Sequence, residues 1–159
     1  MAEYKLWDAL NCAKKLKWVD LTHPLDNSSP YWSGIPDGAF VALRTDWSKR
    51  WPDMDALSGA TPDGSENFPG WSLDALKYIY EVRNAAANGH EALDTDASAE
   101  AAKAGDLACE RYVLEQGKLQ VEVLCNLDQV APAGAVMIVA WPNFEGAVGL
   151  PVRAWAITE

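Results

Sequence analysis

Histidine is nearly absent from this chain. Only His23 and His90 occur among its 159 residues, which excludes a histidine-rich zinc site and the H-E-x-x-H pattern of metalloproteases. A phosphate-cradling loop is missing too, because "GAVGLPV" has neither the lysine nor the following helix that such a loop needs. "GSENFPGWS" is not a G-x-S-x-G elbow, so a serine nucleophile has no support. The three cysteines, Cys12, Cys109 and Cys125, are odd in number and form no C-x-x-C pair. That usage suits a reducing compartment better than a disulfide framework, and the cytoplasm is the expected location. Basic residues are few: 13 Lys and Arg against 23 Asp and Glu give a net charge of −10. Such a field repels phosphate backbones and anionic lipid, so neither nucleic acid nor a membrane surface is an expected partner. The longest apolar run, "GAVMIVAW" at 134–141, is far short of the roughly 20 residues that cross a bilayer. The amino terminus scatters its charges instead of leading an apolar segment, and the expectation is a soluble protein without a targeting sequence.

What is present is apolar and aromatic. The chain is 49% hydrophobic with eight Trp, five Tyr and three Phe, enough for one compact domain spanning 1–159. Residues 3–17 place Leu6, Leu10, Ala13 and Leu16 at helical spacing, with Lys14, Lys15 and Lys17 near the end where the helix dipole favours cations. "WVDL" (18–21) reads as a strand, and the Pro-, Asn- and Ser-rich stretch after it as a long connection. "AFVALR" (39–44) is an apolar strand, and residues 45–70 are an irregular excursion. Ser72 is placed to cap a helix over "SLDALKYIYEVRNA", with Asp74 in its first turn. "GHEALDTDASAEAAKAG" then reads as a polar crossing into an alanine-rich helix, and "LACERYVLEQG" as a helix stopped by Gly117. "LQVEVLCNL" alternates, with Val121 and Val123 on one side and Glu122 and Leu124 on the other. "GAVMIVAW" and "PVRAWAI" are the final strands. Helices among strands and a β-rich carboxyl end predict a mixed α/β (α+β) domain.

Few constellations carry chemistry. His90, Glu91, Asp94 and Asp96 fall within seven residues, a donor set that a divalent metal accepts and that a solvated polar loop also produces. Glu122 interrupts an apolar strand, where it either faces solvent or has a cation beside it. Glu110 lies on the preceding helix. His23 in "DLTHPL" fits a hydrogen-bonded histidine that orients the next loop. Trp32, Trp47, Trp51, Phe68 and Trp71 all fall on predicted loops, where large aromatics either plug the edge of a core or line a pocket for a planar ligand.

In order along the chain, "WVDLTHPLDNSSPYW", "IPDGAFVALRTDWSKRWPD", "FPGWSLDALKYIYEVRN", "GHEALDTDAS" and "LCNLDQVAPAGAVMIVAWP" resemble the cyclase, or kynurenine formamidase-like, metal-dependent hydrolases, with isatin hydrolase among their relatives. The resemblance divides the chain into an amino-terminal helix (1–17), a family amino-terminal segment (18–34) and a family carboxyl half (35–159). It implies a swivelling β/β/α fold with a barrel-like sheet, usually oligomeric, and hydrolysis of an amide, lactam or lactone by a water activated on a divalent metal, zinc or manganese. Glu122 matches a metal-binding glutamate of the family, and Glu110 stands where many members have a metal-binding histidine. His90 lies in a stretch that approaches the site and is the candidate catalytic histidine, with Trp32, Phe68 and Trp71 as candidate substrate contacts.

One departure matters. Between "PYW" and "IPDGAF" the family carries a block with His-x-Gly-Thr-His-x-Asp-x-Pro-x-His, and here Trp32 is followed at once by "SGIPDGAF". The resemblance therefore implies a shortened amidohydrolase-class protein, of the arylformamidase kind, with most metal ligands gone and little activity of its own. The alternative is a non-catalytic binding or assembly protein. In either case a homo-oligomer or a complex with a full-length paralogue is expected, since loss of a central block leaves strand edges and apolar surface to cover.

Overall fold

The computed structural model describes residues 35–158. The expected amino-terminal helix, the "WVDL" strand, His23 and Trp32 lie outside the described residues. Strand β1 (Phe40–Leu43) leads through a 3-10 turn (Trp47–Arg50) to a short helix α1 (Met54–Ser58). Helix α2 (Leu73–Lys77) runs on into a π-type turn (Tyr78–Val82), followed by strand β2 (Ala87–His90). Helices α3 (Ser98–Ala104) and α4 (Ala108–Glu115) precede strand β3 (Leu119–Val121), and strands β4 (Val136–Ala140) and β5 (Arg153–Ile157) close the order. The sheets are two and both open: parallel β1-β2-β3, and an antiparallel β4-β5 ribbon. The mixed α/β class stands as expected from the sequence, while the described strands close no barrel.

The core lies between the parallel sheet and its helices. Leu76, Ile79, Tyr80, Ala85, Cys109, Tyr112 and Val113 form one buried cluster, with Val41 and Trp71 packed against it. Ser72 caps α2 by accepting from the Ala75 N–H at 3.2 Å, as its position predicts. Strand β2 sits at the centre, pairing Phe40 with Ala87 on one side and Ala87 with Leu119 on the other. Alternation then sorts its side chains. Asn88 points to the helices and accepts a hydrogen bond from the Tyr80 hydroxyl at 2.6 Å. Gly89 points to the opposite face, where a Cβ would come within 2.6 Å of the Phe40 ring and 2.7 Å of Leu124.

Three sequence expectations change. The central strand β2 takes in Gly89 and His90, where the sequence predicts the start of a polar crossing, because "ANGH" has none of the β-branched or aromatic residues that mark a strand. Its pairing is set instead by two neighbours. The excursion at 45–70 contains a helix, capped by the Asp53 side chain on the Ala56 N–H. The alternating strand from Leu119 ends at Val121, because Val123 adopts φ 55° and turns the chain. Val121 and Leu124 are buried and Val123 is exposed, so Val121 and Val123 do not share a face.

Close approach fixes a second glycine. A Cβ on Gly70 would lie 2.3 Å from both the Asp96 carbonyl carbon and the Ala97 nitrogen. The chain passes here because Trp71 and Asp96 form a parallel bridge, with the Trp71 N–H donating to the Thr95 carbonyl at 2.8 Å.

Gly89→Ala should destabilise the protein by about 1–3 kcal/mol, the usual cost of forcing a methyl into a packed core. Urea unfolding followed by tryptophan fluorescence measures it. A change below about 0.5 kcal/mol would mean that Phe40 and Leu124 move aside freely.

Candidate functional site

The four residues read as a possible metal cluster at 90–96 separate in the structure, and each takes a different task. His90 is 1% exposed, and neither ring nitrogen has a hydrogen-bond partner among the described residues. Burial lowers its pKa to about 4, so the imidazole is neutral at ordinary pH. Glu91 is equally enclosed but well paired. Its carboxylate accepts from the Thr45 N–H at 2.7 Å, the Ser48 hydroxyl at 2.7 Å and the Thr45 hydroxyl at 3.3 Å, which ties the turn after β1 to the end of β2.

Asp96 accepts from the Cys109 and Glu110 N–H groups, both at 2.9 Å. These are early donors of α4 with no partner inside the helix, and a carboxylate there also meets the positive end of the helix dipole. Asp96 thereby sets where Glu110 stands. Thr95, fully buried, donates its hydroxyl towards the Gln120 amide oxygen at 2.8 Å and the Glu122 carboxylate at 3.4 Å.

Glu110 on α4, Glu122 just after β3 and the half-buried Asp94 form an acidic group. The Glu122 pKa is pushed up to about 7 by removal from water, then by the charges of Asp94 and Glu110, against a lowering hydrogen bond from Thr95. Much of the Glu122 side chain is accessible, yet its carboxyl end reaches the enclosed Thr95, which is where water is lost. Glu110 is also raised, by burial first and then by Asp94 and Asp96. Glu110 thus disfavours the charge of Glu122, and Asp94 disfavours the charge of both. Among the described residues, no three His, Cys, Asp or Glu side chains converge closely enough to hold a metal ion.

The aromatic candidates are part of the frame around this loop. Phe68 is buried, donates its N–H to the Ser98 hydroxyl at 2.8 Å and accepts from the Ser98 N–H at 3.2 Å. Trp71 packs against the core cluster, and its indole N–H is enclosed without a partner among the described residues. Sequence reasoning singled out Glu110 and Glu122 but assigned no role to Thr95 and no capping role to Asp96. A carboxylate twelve or so residues before a helix start carries no local signal, since it caps through the tertiary fold.

Two outcomes test this geometry. Asp96→Ala should cost about 1–2 kcal/mol, as loss of a helix cap does, and should lower helical circular dichroism; an unchanged melting temperature would show that α4 does not lean on it. The second concerns pH. A carboxyl with a folded-state value near 7 against an ordinary 4.5 keeps its proton in the native chain after losing it in the unfolded one. Stability from this group therefore falls as pH rises from about 4.5 to about 7 and stays lower above that. Glu122→Gln should remove that slope and melt higher than the parent at pH 8. An equal melting difference at pH 4.5 and pH 8 would sink the assignment.

Comparison with known proteins agrees with the resemblance read from the sequence. Residues 33–97 match the family model described as "Putative cyclase". The chain is 29% identical to isatin hydrolase of Roseibium aggregatum over 123 residues, 77% of this chain and 46% of that protein. It superposes on isatin hydrolase A from Ralstonia solanacearum with a TM-score of 0.72 at 34% identity, covering 79% of this chain and 47% of the other. An isatin hydrolase bound to the product analogue thioisatinate gives 0.71 at 28% identity, covering 79% and 47%. The chain spans about half the length of these relatives. The chain thus resembles the cyclase family over a stretch that takes in Gly70, Glu91 and Asp96, and it shares the fold of isatin hydrolases.

Proposed function

We propose that this chain is a shortened hydrolase-class protein that acts, slowly on its own, on a C–N bond outside peptides or on a related ester. An amide, lactam or lactone is the substrate class, and isatin is the first compound to try. Support for the class comes from the isatin hydrolase likeness and from the relative that binds thioisatinate, a product analogue. The observation that carries the reading is the pair of carboxyls Glu110 and Glu122 on two separate elements, with the Glu110 N–H held by Asp96 and the Glu122 carboxyl raised by burial and then by the charges of Asp94 and Glu110. A carboxyl with a pKa near 7 exchanges a proton readily at neutral pH, which general acid and base work requires. Proton transfer is assigned to Glu122 and not to His90, whose ring is enclosed and neutral.

The family resemblance brings with it a divalent metal, zinc or manganese, which would activate water and polarise the carbonyl. The described donors do not fit that group. Two coupled carboxyls with Asp94 nearby do not converge into a set of three, and a catalytic zinc site needs three protein ligands with one open position. The working location is the cytoplasm, on the cysteine usage noted above. Among the described residues, no helix is long and apolar enough to cross a membrane.

Assays with isatin, N-formylkynurenine and a simple lactone, with zinc or manganese added, test this reading. Turnover should be at or near the detection limit, with any residual rate lost in Glu122→Gln. Equilibrium dialysis should find less than one metal per chain at micromolar concentration. A chelator-sensitive rate of about 1–1000 s⁻¹ would overturn the claim of slow turnover. A rate that survives Glu122→Gln would overturn the assigned group.

A further inference from the structure

The central strand of the parallel sheet carries a chemically labile dipeptide. Asn88 is followed by Gly89, and no other asparagine of the chain precedes a glycine. An asparagine in this setting loses ammonia when the next backbone nitrogen attacks its side-chain carbonyl carbon, and a following side chain would crowd that approach. Glycine leaves it open. Packing favours both members of the pair. A Cβ at 89 would lie 2.6 Å from the Phe40 ring, 2.7 Å from Leu124 and 2.9 Å from the Val121 carbonyl oxygen. On the other face Asn88 is fully buried, and its amide oxygen accepts from the Tyr80 hydroxyl at 2.6 Å. An apolar side chain at 88 would leave that enclosed hydroxyl unpaired. The same contacts hold the reaction off. Strand β2 is paired on both sides, Asn88 with Val41 and Gln120, and Gly89 with Ala42 and Val121, so its backbone nitrogens are committed to the ladders. Ring closure turns the peptide between 88 and 89 out of the extended geometry that these neighbours maintain.

We propose that Asn88–Gly89 is a shielded deamidation site, intact in the folded chain, that reacts when β2 opens and makes the unfolding permanent. In the opened chain the Gly89 nitrogen gives up its proton and bonds to Asn88 Cγ. The Cγ–Nδ2 bond breaks, and the amide nitrogen leaves with that proton as ammonia, closing a five-membered succinimide. Water then opens the ring at either carbonyl, leaving aspartate or isoaspartate at 88. Neither product suits the sheet. Aspartate puts a carboxylate at a position with 0% exposure, where the Tyr80 hydroxyl is the donor at hand. Burying that charge costs more than one hydrogen bond returns. Isoaspartate inserts a methylene into the backbone, so the rest of β2 loses its register and Gly89 no longer stands where Phe40 and Leu124 need the space. This inference concerns the frame of the fold and needs neither Glu110 nor Glu122.

The test follows the full chain by peptide mapping and mass spectrometry, held at pH 8 in native buffer and in unfolding urea. In urea, conversion at 88 should outrun conversion at every other asparagine. In native buffer it should be slower by about a thousandfold or more, since a stable chain is unfolded for no larger a fraction of the time. Refolding by dilution, read by tryptophan fluorescence, should lose amplitude in step with the converted fraction. Gly89→Ala supplies a variant whose readout does not depend on folding: in urea its methyl group should slow conversion severalfold. Equal rates in the two buffers would overturn the proposal. So would earlier loss of ammonia at another asparagine in urea, an unchanged rate in Gly89→Ala, or converted chains that regain native stability.

Discussion

Two hydrogen bonds to one carboxylate organise the candidate site. Asp96 holds the first donors of α4 through its side chain, while the neighbouring backbone pairs with Trp71. The helix that carries Glu110, the loop that carries Asp94 and Thr95, and the entry to α2 are thereby fixed to one another. Thr95 extends the arrangement to the end of β3 and so to Glu122. An ionised group this enclosed is tolerated because its acceptor capacity is met by backbone donors and a helix dipole. Were the carboxylate unpaired, desolvation would outweigh any benefit of its position.

The same acceptor economy separates Glu91 from His90, adjacent residues with opposite fates. Glu91 collects three donors from the turn after β1 and becomes a strut. His90 collects none among the described residues, and the neutral ring is the form that such burial favours. Their closeness in sequence suggested a common ligand set. His90 closes β2 and Glu91 lies just past its end, and the different surroundings of the two side chains show that adjacency in sequence makes no shared site here.

Legibility in the sequence followed the range of the forces involved. Local signals held: Ser72 caps its helix, Gly117 follows the end of α4, and the last two apolar runs pair as strands. What could not be read was what depends on distant partners. Strand β2 has weak intrinsic preference and exists because β1 and β3 flank it. Val123 looked like a continuing strand residue, yet the chain turns at φ 55° there, a backbone region that β-branched residues rarely occupy. That turn lets Leu124 rather than Val123 pack under Gly89. For the candidate site, the acidic pair was visible as residue types in a family pattern, while the raised pKa of Glu122 arises from spatial neighbours that no spacing announces.

Gly70 shows how a contact without any side chain can restrict sequence. The backbone at 70 lies so close to Asp96 and Ala97 that even a methyl group would overlap main-chain atoms, which have no rotamer to retreat into. Among the twenty amino acids, that leaves position 70 an alphabet of one. Position 96 is constrained by chemistry, and a neighbour such as Asn preserves part of its role. Position 70 is constrained by volume alone, and no chemical similarity softens the exclusion. The carboxylate that caps α4 therefore depends on a residue with nothing to offer it except the absence of a side chain.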